Sequence, residues 1–144
     1  MASEPVHLAI KNAVSTAVAG AYPVIDIDEA QRSLAQGTTP FIAIEDIGGT
    51  EDKLTIGAPT ATLSETGSYL LLIFTPSDGD LGVGRRIVDS LRDALRYRYL
   101  IRSATGNLRV TAMTPGAPLP FEGSLWHETE CFMTYDYDVV RQVA

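Results

Sequence analysis

The chain has 144 residues, 45% hydrophobic and 20% charged, ordinary usage for one globular domain, which excludes a disordered tail, a collagen-like rod and a coiled coil. No apolar run approaches the ~20 residues that cross a bilayer as a helix, so no membrane partner is expected. Eighteen acidic against eleven basic residues leave a formal net charge of -7; this balance repels nucleic-acid phosphates and excludes sequence-reading of DNA, although repulsion suits a surface past which DNA must slide.

Pro5 to about Gly20 reads as a first helix. Ser3 stands at its N-cap, Pro5 suits the first turn, and Val6, Ile10, Ala13, Val14, Ala17 and Val18 recur at helical spacing. Tyr22 to Ile27 fits a short strand or an extended connection. Asp28 can cap a short helix through Ala35, stopped by Gly37. Phe41 to Ile44 is a compact strand. Asp46 to Pro59 changes character: Gly48, Gly49, Gly57 and Pro59 among small polar residues predict a long hairpin-like excursion or mobile loop.

Thr60 to Thr75 predicts an extended strand. Tyr69 to Phe74 is apolar on both faces, as in a central strand covered on both sides. Ser77 to Asp80 forms a turn, and Asp80 caps a helix to about Arg98 with Gly84, Ile87, Val88, Leu91 and Leu95 as its stripe. Ser103 to Asn107 turns the chain. Leu108 to Thr114 is a strand with Leu108, Val110 and Ala112 inward, and Pro115 to Gly123 is a connecting loop. Leu125 to about Val139 is the closing strand. These elements predict an α+β domain: a mixed or antiparallel sheet of about four strands, flanked by two main helices.

Few residues select themselves for chemistry. Gly79, Gly82 and Gly84 follow the central strand and open a helix, where phosphates bind. The spacing is not that of a dinucleotide loop, no Walker lysine follows, and Asp78 and Asp80 add negative charge. The alternative is a turn feeding a capped helix. His127, Glu128, Glu130 and Cys131 include metal-ligand types, but strand alternation divides them between two faces, and structural zinc needs four converging ligands. Neither His7 nor His127 belongs to a nucleophile signature. The single cysteine, Cys131, allows no internal disulfide, which makes a cytosolic origin the default. The polar, acidic start does not read as a signal peptide. No catalytic residue, cofactor or metal is expected.

The closing strand carries more. Leu125, His127, Thr129, Cys131, Met133, Tyr135 and Tyr137 share a face that can cover the core. Trp126, Glu128, Glu130, Phe132, Thr134, Asp136 and Asp138 share the other. Two large aromatics among four acids suggest a contact surface. Packing of Trp126 and Phe132 under the Pro115 to Gly123 loop is the alternative.

The segment Gly67 to Asp80, the helix Arg86 to Arg96 and the closing stretch Ser124 to Asp138 resemble phage tail terminator (tail completion) proteins, which also occur in phage-like gene transfer agents. Thr39 to Glu45 and Leu54 to Pro59 stand where that family has its first strand and its mobile excursion. The resemblance covers about residues 5 to 139. It implies a structural virion protein at the tail–head junction, assembled in the host cytoplasm. A hexameric ring would cap the tail tube protein and receive the head-side connector or stopper, with DNA passing through unbound. Trp126, Phe132, Glu128 and Glu130 are then candidates for subunit or ring-to-tube contacts. Glu51 and Asp52 are candidate charges near the lumen or tube. The alternatives are another neck component, such as a head completion protein, and a small enzyme binding a phosphate ligand at the glycine turn.

Overall fold

A computed structural model describes residues 2–30, 39–53, 60–76, 82–120 and 126–142. Helix α1 (Glu4–Ala17) is followed by β1 (Val24–Asp26), a 3-10 turn (Ile27–Glu29), β2 (Phe41–Lys53), β3 (Thr60–Pro76), α2 (Gly82–Leu95), β4 (Tyr99–Arg102), β5 (Gly106–Pro120) and β6 (Trp126–Gln142). The six strands form one mixed sheet in the order β1-β2-β3-β6-β5-β4. Only the β1–β2 pair is parallel. The α+β class stands, but the expected count of about four strands is corrected to six. The two additional strands, β1 and β4, are three and four residues long. Segments that short carry too few alternations to register as a period.

Helix α1 begins with Pro5 in its first turn, and Ser3 has the extended backbone of a cap, though its hydroxyl makes no capping bond. Ala19 and Gly20 both take positive φ, which ends the helix. Val6, Ile10 and Val14 of α1, and Gly84, Ile87, Val88, Leu91 and Leu95 of α2, are the buried stripes. They meet Ile42, Ile44, Tyr69, Leu71, Ile73, Cys131, Met133, Tyr135 and Tyr137 in the main core. Helix α1 touches both outer strands, β1 and β4, so the sheet curls around it. At Gly84 α2 sits close against the sheet, since a Cβ there would collide with the Thr129 side chain of β6. That close approach explains the glycine without a ligand. The rest of the proposed glycine turn, Ser77 to Leu81 with the Asp80 cap, lies outside the described residues, as do the Gln31 to Gly37 part of the second predicted helix and Leu54 to Pro59.

The opposite face holds a second, smaller cluster of Ala30, Phe41, Ala43, Leu72, Phe74 and Trp126. Strand β3 is central, as its two apolar faces predict, with Tyr69, Leu71 and Ile73 in one cluster and Leu72 and Phe74 in the other.

Register shifts reset the faces, one in the short β4 between Tyr99 and Ile101 and three in the longer strands. In β2 the register slips between Asp46 and Gly48, leaving Ile47 as the extra residue. Gly48 has φ 113 there, a conformation that demands glycine. In β5 it slips between Val110 and Ala112. The inward residues are therefore Leu108, Val110 and Met113, which corrects the expectation for Ala112. A third shift, between Pro115 and Pro118, lets β5 pair with β6 as far as Pro120. The segment expected to be a Pro115 to Gly123 loop is strand through Pro120, because proline at a bulge leaves the ladder otherwise intact.

Candidate assembly surfaces

The excursion after Ile44 is a β-ribbon. Gly48 to Lys53 pair with Leu63 to Ser68, and the same stretch of β3 pairs with Thr134 to Val139 of β6. The ribbon continues past the buried part of β2, Phe41–Ile44. The carboxylates of Glu51 and Asp52 on β2 are exposed and sit on opposite faces. Glu51 stands opposite Glu65 on the helix side, and Asp52 opposite Ser64 on the other.

Polar bonds tie the ribbon's root to the N-terminus. The Ala2 amide donates to Asp46 Oδ2 at 2.6 Å, and the Gly48 amide donates to Asp46 Oδ1 at 2.9 Å. Tyr135 donates its hydroxyl to Glu65 Oε2 at 2.7 Å, inside the protein. The phenol reaches this carboxylate across the facing Gly49–Gly67 pair. A Cβ on Gly67 would lie 2.6 Å from the Tyr135 hydroxyl and 2.7 Å from the Gly48 carbonyl. Nearby, His7 Nε2 lies 3.0 Å from Asp26 Oδ1 and Nδ1 lies 2.8 Å from the Tyr69 hydroxyl. The carboxylate can only accept, so Nε2 carries the hydrogen and Nδ1 accepts from Tyr69. Burial, and then the charges of Asp46, Glu65 and Asp26, push the Tyr69 phenol well above its ordinary range. Burial and the Glu65 contact do the same to Tyr135. Both phenols are held as donors, which suits anchors and not bases. The partners of His7 and Tyr135 lie 19 to 70 residues away in the chain, and no local motif signals them.

The candidate aromatics of β6 separate. Trp126 is 5% exposed and packs edge-on against Phe41 at 5.5 Å between centroids, while Phe132 is 41% exposed. Trp126 thus belongs to the second cluster, with Phe41 of β2 and Phe74 of β3; residues 121–123 of the loop expected over it lie outside the described residues. Phe132 remains on the open face, opposite Leu70 of β3 and Thr114 of β5. Between them Glu128 and Glu130 are half-buried, opposite Phe74 and Leu72. Burial raises the Glu128 carboxyl above its usual range, and the hydrogen bond that its protonated form donates to Glu130, with the charges of Glu130 and Glu45, raises it further. Cys131, on the core side, is pushed up to about 11 by burial, the mark of an inert thiol.

A groove of about 800 Å³ runs between α1 and the β1–β2 edge, lined in part by Glu4, Leu8, Asp26, Asp28, Glu45 and Ile47. At the other edge, Tyr99 of β4 lies under Arg102 at 4.7 Å and near Arg109 at 5.8 Å, and Arg96 lies 5.8 Å from the Tyr97 ring. Tyr97 ends α2 with φ 62, a left-handed conformation that costs a side-chain-bearing residue about 1 kcal/mol. Among the described residues, no group of three or more His, Cys, Asp or Glu side chains could hold a metal ion. No described helix is long and apolar enough to cross a membrane.

No family model matches the chain, and no curated protein matches it significantly. Nineteen chains of solved structures do match in shape. One of them is 14% identical, with a TM-score of 0.52 over 96% of each chain. At that identity the likeness concerns the fold alone.

Proposed function

We propose that this chain is a tail terminator subunit of a long-tailed phage or a phage-like particle. Copies form a ring on the last disc of the tail tube and present a surface to the head-side connector, and DNA passes through the hole. The observation that carries this reading is the ribbon. A terminator must reach a neighbour and a tube with one small domain. Here β2, β3 and β6 continue beyond the buried core, with Glu51 and Asp52 on opposite faces. The open sheet face adds an exposed Phe132 among carboxylates. The net charge of -7 favours a lining that does not retain DNA. The function needs no bond-making residue, and the buried phenols and thiol support structural roles.

The test is electron microscopy of particles assembled without this protein. Tails of aberrant length that fail to join heads are expected. Tails of normal, fixed length joined to heads would refute the proposal.

A further inference from the structure

We propose that the two outer edges of the sheet are the two halves of one contact between copies of this chain: the Tyr/Arg edge at β4 of one copy enters the acidic groove between α1 and β1–β2 of the next. The proposal deepens the ring reading. It rests on that reading for closure and copy number, and on the following observations for the contact itself.

The edges are chemically opposite. Arg96, Arg98, Arg102 and Arg109 surround Tyr97 and Tyr99, which are 59% and 46% exposed. None of these arginines forms an ion pair with a described residue. The groove carries Glu4, Asp26, Asp28, Glu45 and Asp46, and two apolar side chains, Leu8 and Ile47, each 50% exposed on its rim. Among the described residues, Asp26 alone of these acids has basic side chains in reach, His7 at 3.0 Å and Lys11 at 3.6 Å. Exposed tyrosine and arginine are among the side chains that most often anchor interfaces, and an acidic groove with exposed apolar side chains is the complement they need.

The topology makes such a contact propagate. Strands β1 and β4 are the two ends of the sheet order, and α1 lies between them, touching both. Each copy therefore offers one edge and receives the other. That is a heterologous contact, the type that yields a ring when the rotation closes. The left-handed backbone of Tyr97 fits this role, since an unfavourable conformation holds a large ring outward at the edge. A nucleic acid is the other chemistry that Tyr/Arg pairs recognise. Asp136 and Asp138 line the same recess as Tyr99, Arg102 and Arg109 and weaken the hold on any anion; the groove, unlike a phosphate backbone, also offers apolar side chains, Leu8 and Ile47, to the two tyrosines.

The experiment mixes two full-length proteins, one carrying Leu8→Cys and the other Tyr97→Cys, under oxidation. Trapping captures even a weak contact, both positions are exposed, and the native Cys131 is buried. Peptide mass spectrometry should find the mixed 8–97 disulfide well above the 8–8 and 97–97 products. Adding Arg98→Glu with Arg102→Glu to the Tyr97→Cys protein should lower that yield about tenfold. Adding Glu4→Lys with Asp28→Lys to the Leu8→Cys protein should restore it. Equal yields of the three disulfides, no mixed product, or a mixed product indifferent to the reversals would overturn the proposal. So would duplex DNA binding that Arg98→Glu/Arg102→Glu abolishes, with no mixed product. If particles need this chain for correct tails and the 8–97 link is absent, the contact is wrong and the terminator reading stands. If the link forms and tails are normal without the chain, the reverse holds.

Discussion

The two faces of the sheet are finished to different degrees. The helix side is sealed within one chain: α1 and α2 bury a continuous cluster against β2, β3, β5 and β6, and its polar groups at Glu65, Tyr69 and Tyr135 have partners. The other side has a small aromatic cluster at one end, then half-buried Glu128 and Glu130 near Glu45, then exposed Phe132. One face holds the fold together, and the other is left with chemistry that a single copy does not use. The comparison teaches that stability and assembly should be separable by mutation.

The largest effect is expected on the sealed face. Leu91 is fully buried, and Leu91→Ala should cost about 3 kcal/mol of stability, within the roughly 2–5 kcal/mol seen for such truncations. Phe132→Ala, across the sheet, should cost less than about 1 kcal/mol yet impair particle assembly. Denaturant unfolding and a tail-joining assay read the two. Equal losses of stability would break the comparison.

Next come the points of close approach. Gly67→Ala pushes a Cβ against the Gly48 carbonyl and the Tyr135 hydroxyl. Backbone cannot yield as a flexible side chain can, so a loss of about 1–3 kcal/mol is expected. Tyr135→Phe removes the hydroxyl that Glu65 accepts and leaves a buried carboxylate short of a donor, at about 1–2 kcal/mol. Both are checked by shifts in the unfolding midpoint.

The smallest effect belongs to the open face. The Glu128 carboxyl is held above its ordinary value of 4.5, first by burial, then by Glu130 and Glu45. A carboxyl with a raised native value binds its proton more tightly folded than unfolded. Its stabilising contribution is complete below about 4.5 and is lost as pH rises through the native value. Glu128→Gln should therefore flatten the fall in stability between that pH and neutrality and add under about 1 kcal/mol at pH 7. Melting curves across pH read this directly. An unchanged pH profile would mean that the open-face carboxylates are already relaxed in a single copy.

How much of this was legible in the sequence depends on element length and on range. The periodic runs behind α1, α2, β3 and β6 were readable, as was the core face of β6 from Thr129 to Tyr137. Strands β1 and β4 were too short to show a period. The bulge before Ala112 reversed the alternation that had pointed to Ala112 over Met113. Proline and glycine content suggested a loop where β5 continues, because composition reports backbone preference and not pairing partners. Gly84 drew attention as part of a phosphate loop and proves to be a packing glycine. Trp126 and Phe132 share a face, yet one is buried and the other exposed. Partners remote in the chain decide that, such as Phe41 beside Trp126, 85 residues away. The groove and the Tyr/Arg edge draw on residues spread over the whole chain and had no local signature.

The most direct test is a reconstruction of the assembled particle with this chain identified in the density. The account predicts a closed ring of copies seated on the last tube disc, beneath the head-side connector, with the β2–β3 ribbon of each copy in contact with a neighbour or the tube. Density for the chain at any other location, or a single copy bound without a ring, would contradict it.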